Sequence, residues 1–120
     1  YVGGTWVRQT TYDIAMMWAG SPPSIKRFWK FQAVRRFILP SGLTGSQLSV
    51  ATKPMSGTVV LELRKNEGVI GTLSFSTSSF DAVVDFPGSV TFEENDELSL
   101  TTPLDMNGLR DIFITFSAYR

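Results

Sequence analysis

The stretch that decides the fold is Thr58–Ser76, which reads TVVLELRKNEGVIGTLSFS. Its first half is rich in β-branched residues and alternates between apolar and polar positions, which is the pattern of a half-buried β-strand. Asn66-Glu67-Gly68 follows, and these residue types predict a tight hairpin in which Gly68 adopts a positive φ angle. The return segment Val69–Ser76 alternates again. The stretch therefore predicts two antiparallel strands joined by a short turn.

Similar short segments recur about every ten residues along the chain, separated by clusters of turn-forming residues. Residues 28–34 and 36–39 are predicted to form one strand or a pair of strands, and the other further strands are predicted at residues 12–19, 48–52, 82–86, 90–92, 98–100 and 112–119. The only helical candidate is a single turn at Leu104–Asn107. We predict an all-β fold, an antiparallel β-sandwich of jelly-roll-like form with about eight to nine strands. Residues 12–120 are predicted to form this single domain, and residues 1–11 the end of an upstream connector.

The composition argues against catalysis. The chain contains no His and no Cys, so the commonest general base, the thiolate nucleophile and the usual zinc ligands are missing. Neither a Ser-His-Asp nor a Cys-His mechanism can be built from it. The acidic segment Phe92–Glu97 lacks the ligand spacing and the Gly of a Ca²⁺ loop, and is predicted to be a solvated hairpin turn. We expect a protein that is not an enzyme and that holds no cofactor and no metal.

Charge is unevenly distributed along a chain whose net charge is zero. Residues 1–53 carry seven Lys/Arg and one Asp, a balance of +6, and residues 54–120 carry four Lys/Arg and ten Asp/Glu, a balance of −6. The basic cluster comprises Lys26, Arg27, Lys30, Arg35 and Arg36. The acidic cluster comprises Glu93, Glu94, Asp96 and Glu97. Two complementary clusters on one chain suit either internal pairing or contact between neighbouring copies.

Aromatic residues are interleaved with the basic cluster, and together they form the candidate contact site for a ligand or a second subunit. The candidates are Trp18, Lys26, Arg27, Phe28, Trp29, Lys30, Phe31, Arg35 and Arg36. For any single aromatic residue in this set, packing in the core or between subunits is favoured over a stacking platform for a ligand. Successive side chains of a strand point to opposite faces, so we expect either Phe28 or Trp29 to leave the main core.

Two classes of partner are not expected. The basic cluster carries enough charge to attract phosphate, but the chain is neutral overall and has no nucleic-acid-binding motif, so we predict no nucleic-acid partner. No apolar run approaches the roughly 18 residues that cross a bilayer, so we predict no membrane insertion.

Four segments occur in an order that resembles a known family. They are Tyr12–Ala15, Val34–Leu43 with its Leu39-Pro40-Ser41-Gly42-Leu43 ending, Leu63–Phe75 with its Lys-Asn hairpin and Gly71-Thr72, and Val90–Leu100. The set resembles a small β-sandwich module of tail-fibre, tailspike and related virion proteins of tailed bacteriophages and prophages. The chain departs from that pattern by inserting Glu67 into the Asn-Gly turn and by placing Glu94-Asn95 where a Gly commonly precedes the Asp. The Lys26–Phe31 segment is also less typical of the family.

The resemblance implies a non-enzymatic virion module, a tail-fibre or receptor-binding domain that attaches the particle to a host cell-surface glycan or protein. Modules of this kind often sit at the tip of a trimeric fibre, so the resemblance also implies a homo-oligomer, with a trimer favoured. The implied location is the surface of the phage tail or capsid, after assembly in the host cytoplasm. Two alternatives stay open: a structural head-decoration or fibre-oligomerisation domain, and a carbohydrate-binding module attached to a glycan-degrading tailspike.

Overall fold

A computed structural model describes residues 11–120, which form ten β-strands and one short 3-10 turn. The strands are β1 (Thr11–Trp18), β2 (Arg27–Gln32), β3 (Phe37–Leu39), β4 (Gln47–Thr52), β5 (Thr58–Lys65), β6 (Gly68–Ser76), β7 (Val83–Asp85), β8 (Val90–Phe92), β9 (Glu97–Thr101) and β10 (Arg110–Tyr119). The 3-10 turn, Ser41–Leu43, lies between β3 and β4. The predicted connector lies outside the described residues except for Thr11, which begins β1.

The strands form two antiparallel sheets of five strands each. The front sheet has the order β1-β10-β3-β8, and β4 pairs with β10 as well. The back sheet has the order β2-β9-β5-β6-β7. Nested antiparallel pairs connect the two halves of the chain: β1 with β10, β2 with β9, β3 with β8, and β5 with β6. This nesting is that of a jelly roll, so the prediction of an all-β sandwich is confirmed.

The core lies between the two sheets and follows the predicted alternation. In β10, the side chains of Ile112, Ile114 and Phe116 are buried, whereas Phe113 on the opposite face is exposed. Removal of such apolar side chains from water is the main favourable contribution to folding. Aromatic side chains pack closely in this core: the rings of Phe37 and Phe92 stack with centroids 4.7 Å apart.

Two local predictions were wrong. In the β5–β6 hairpin, Lys65 pairs with Gly68, so Gly68 already belongs to the return strand. The positive φ angle falls instead on Asn66, at 54°, which Asn tolerates better than most residues. The helical turn expected at Leu104–Asn107 is not formed, and this segment is an irregular connection between β9 and β10.

The register of the strands defines two ends of the sandwich. Thr11 pairs with Tyr119 at one end, and Trp18 pairs with Ile112 towards the other. The proximal end, at Thr11 and Tyr119, also carries the loops 33–36, 66–67 and 93–96. The distal end carries the loops 19–26, 53–57, 77–82 and 102–109. Within residues 11–120, no helix has the length and apolar character that crossing a membrane requires.

Candidate functional site

The aromatic residues of the candidate set close one side of the sandwich, where β1 and β2 form the edges of the two sheets. Trp29 stacks beside Phe31, with centroids 6.4 Å apart, and lies 6.0 Å from the buried Phe116 of the front sheet. Phe31 in turn meets the ring of Phe37 edge-on at 6.0 Å. These side chains are half-buried and pack against the core. Their arrangement is that of core residues at an open edge, as the sequence favoured for any single aromatic.

The expectation that Phe28 or Trp29 leaves the core was wrong, because β2 contains a β-bulge. Arg27 pairs with Thr101 and Trp29 pairs with Leu100, so Phe28 is an extra residue between two successive partners. A bulge breaks the strict alternation of side chains. Phe28 is therefore free to turn inward as well, and it packs edge-on against Trp18 at 5.5 Å.

Two cations of the candidate set are paired within the same molecule. Arg27 donates to Glu67 at 2.9 Å and to Glu97 at 3.2 Å, and its side chain is 23% exposed. The hydrogen bond with Glu67 raises the pKa of Arg27, and the same contact lowers the pKa of the Glu67 carboxyl. Arg36 pairs with Glu93 at 3.0 Å near the proximal end. Two arginines of the basic cluster therefore form ion pairs with the acidic cluster within one molecule.

Three cations of the candidate set are exposed: Lys30 lies on β2, Lys26 lies directly before it, and Arg35 lies in the loop that follows it. None of them makes an ion pair with any residue in the range 11–120. Val34, which is 67% exposed, lies beside Arg35. We call Lys26, Lys30, Val34 and Arg35 the basic edge. The structure thus divides the candidate set into a packed aromatic layer, two internally paired arginines and this free edge.

A second surface, at the distal end, was not found from the sequence. Four large apolar side chains project from its loops: Met55 is 81% exposed, Leu104 75%, Ile25 64% and Phe80 50%. We call these four residues the distal tip. They come from four different loops, so no periodicity in the sequence links them. The available signal was an apolar residue inside a turn segment, as in Pro54-Met55-Ser56-Gly57.

Hydrogen bonds tie three of the four loops of the distal tip together. The backbone N–H of Ile25 donates to the carbonyl of Pro103 at 3.0 Å, and that of Met55 donates to the carbonyl of Asn107 at 2.7 Å. Met55 also rests on Gly108, where an added Cβ would lie only 3.1 Å from the Met55 Cγ. Loops bonded in this way present their apolar side chains from a fixed scaffold.

A third surface lies on the outer face of the front sheet. Met17 of β1, 65% exposed, stands directly across from Phe113 of β10, 42% exposed. The charged side chains around this pair are carboxylates: Asp13 on β1, Asp111 on β10, and Asp81, which bridges to Ser49 of β4. We call Asp13, Met17, Asp81, Asp111 and Phe113 the front face.

Hydrogen bonding organises the acidic turn between β8 and β9. The backbone N–H of Glu93 donates to the Asp96 carboxylate at 2.8 Å, and Asn66 donates to it at 3.3 Å. These hydrogen bonds, the one from Glu93 first, lower the pKa of Asp96. Over residues 11–120, no three His, Cys, Asp or Glu side chains are grouped so that they could hold a metal ion.

The ordered motifs of the sequence lie at turns and close approaches of the fold. Asn66 and Asn95 have positive φ angles of 54° and 77°, and Leu43 ends the 3-10 turn with a φ of 50°. Gly71 lies against the backbone of Asp85. The motifs therefore have structural roles in this jelly roll.

No protein-family model matches the chain, and no curated protein matches it.

Proposed function

We propose that this chain is a non-enzymatic virion module of a tailed bacteriophage, a tail-fibre or receptor-binding domain that attaches the particle to a host cell-surface glycan or protein. In this proposal the module works as a homotrimer on the surface of the phage particle. The ordered motifs support the assignment to virion modules. The observation that carries the attachment role is the distal tip.

Apolar side chains on the distal tip are displayed in a way that folding alone does not require. Met55 and Leu104 are largely in water, so burying them against a partner would gain about 25 cal/mol for each Å² removed from solvent. Large exposed apolar side chains gathered at one end of a domain are a common feature of interaction sites.

The position of the tip also suits attachment. Thr11 and Tyr119 pair at the proximal end, which is the end of the sandwich opposite to the tip. A fibre joined at the proximal end would point the distal tip away from its shaft. The tip would then be the first part of the module to meet a cell surface.

The proposal is tested by binding of the chain to immobilised envelope fractions from a panel of bacteria. We expect a Met55→Glu/Leu104→Glu variant to bind at least about tenfold more weakly, since loss of one or two apolar anchors costs more than 1.4 kcal/mol. Val83→Glu is the matched control, because Val83 is 70% exposed but lies on the back sheet. Failure of the unaltered chain to bind any fraction, or equal binding by the tip variant, would contradict the attachment role.

The front face favours a second candidate function, that of a structural fibre-oligomerisation or head-decoration domain. An apolar centre on an exposed sheet face is suited to contact with another subunit. If the chain assembled normally but bound no envelope fraction, this structural role would replace attachment.

A further inference from the structure

We propose that the front face of one copy binds the basic edge of another copy. The inference rests on the homo-oligomer of the proposed function and names the surfaces that build it. It assigns the free cations of the candidate site to a contact between subunits.

The front face is apolar at its centre and acidic around it. The outward positions of β1, β4 and β10 are largely small or hydroxyl-bearing residues, from which Met17 and Phe113 protrude as a cross-strand pair. The charged residues at these positions are Asp13 and Asp111, and Asp81 adds a third carboxylate beside β4. A surface of this composition is complementary to one that offers cations beside an apolar side chain.

The basic edge offers that composition. Lys30 lies on β2, Lys26 precedes the strand and Arg35 follows it, and none of the three makes an ion pair with residues 11–120. Val34 exposes an apolar side chain between Lys30 and Arg35. The bulge at Phe28 and the charge of Lys30 are features that discourage pairing of an edge strand with another strand. We therefore expect contact through side chains rather than an extended sheet.

The sign of the charges determines which surfaces of two copies can face each other. A front face placed on a second front face would bring carboxylates together, and two basic edges would bring cations together, so both symmetric contacts are disfavoured. The remaining arrangement joins two different surfaces. Copies can make this contact twice about a two-fold axis, with each front face on the partner's basic edge, or once per copy in a ring.

The test is the oligomeric state of the 120-residue chain, measured by sedimentation velocity and light scattering from about 1 to 100 μM, the range in which weak and moderate contacts are populated. We expect self-association that weakens as salt is raised, because exposed charges are screened. Reversing the basic edge (Lys26→Glu/Lys30→Glu) or the front face (Asp13→Lys/Asp81→Lys) should weaken association about 100-fold. Combining the two reversals should restore it, because the charges are complementary again.

The control is Asp85→Lys, which changes an exposed carboxylate on the back sheet and should leave association unchanged. All substituted residues are exposed, and circular dichroism with thermal melting checks that each variant folds. A chain that is monomeric at the highest concentration, or a combined variant as weak as the single reversals, would overturn the inference. A monomer that still binds envelope fractions would overturn this contact alone, whereas an oligomer that binds none would overturn only the attachment role.

Discussion

Gly71 in β6 is the position at which one added methyl group gives the sharpest test of the fold. An ideal Cβ at Gly71 would lie 2.7 Å from the carbonyl oxygen of Asp85 and 2.7 Å from Cδ1 of Phe86. The first of these atoms belongs to the backbone of β7, and Phe86 is buried. Neither can move aside without disturbing the β6–β7 pairing, so Gly71→Ala should destabilise the domain.

The magnitude follows from two opposing effects. Forcing an extra carbon into a packed site costs about 1–3 kcal/mol, and contact with backbone places Gly71→Ala at the upper end of that range. Replacing Gly by Ala in a strand recovers about 0.5–1 kcal/mol, because the unfolded chain loses freedom. The expected net loss is therefore about 2 kcal/mol, which corresponds to a melting temperature lower by about 6–10 °C for a domain of this size.

Urea unfolding and thermal melting measure the effect, with Gly88→Ala as the control. Nothing lies within 4 Å of a Cβ at Gly88, and its φ angle is not positive, so this change should be neutral or slightly stabilising. If Gly71→Ala were as stable as the unaltered chain while Gly88→Ala behaved as expected, the close approach of β6 to β7 would be refuted. The same result would remove the physical reason for the Gly71-Thr72 motif.

Two further predictions concern stability. Because hydrogen bonds lower the pKa of Asp96 from its ordinary 3.8, its carboxylate contributes stability above that pH and loses it as the pH falls through the lower folded-state value. Asp96→Asn should therefore destabilise the chain at pH 7, and the difference measured by urea unfolding should shrink as the pH is lowered below 3.8; an equal loss at neutral and acidic pH would contradict this. Trp29→Ala should cost about 3 kcal/mol in urea unfolding, since the half-buried ring packs against Phe116; a loss below about 1 kcal/mol would mean that the ring is not part of the core.

The parts of the fold that depend on local chemistry could be predicted from the sequence. Alternation predicted the two faces of β10, and turn residues predicted the β5–β6 hairpin. Predictions of local detail were wrong where a local rule allowed two outcomes. Asn66 and Gly68 can both adopt positive φ, and only the pairing of Lys65 with Gly68 determines which of them does so. The bulge at Phe28 likewise depends on its partner strand, whose residues at the bulge are more than 70 positions away in the sequence.

The surfaces could be predicted only in part, because they are assembled from distant segments. The distal tip joins Ile25, Met55, Phe80 and Leu104 from four loops, and these loops become neighbours only once the jelly roll is known. The candidate cations were visible as a cluster, but which of them stay free depends on contacts made across the fold. Arg27 reaches Glu67 and Glu97, 40 and 70 positions away in the sequence.

Ion pairing within the chain changes what the +6/−6 distribution implies. Glu93, Asp96 and Glu97 pair with Arg36, Lys65 and Arg27, so most of the acidic turn is already neutralised by its own molecule. A contact between copies that used this turn would first have to break those pairs. The carboxylates of the front face carry no such ion pairs within residues 11–120. The sequence alone suggests that the basic cluster of one copy would meet the acidic turn of another. The ion pairs of the structure favour the front face as the partner of the basic edge instead.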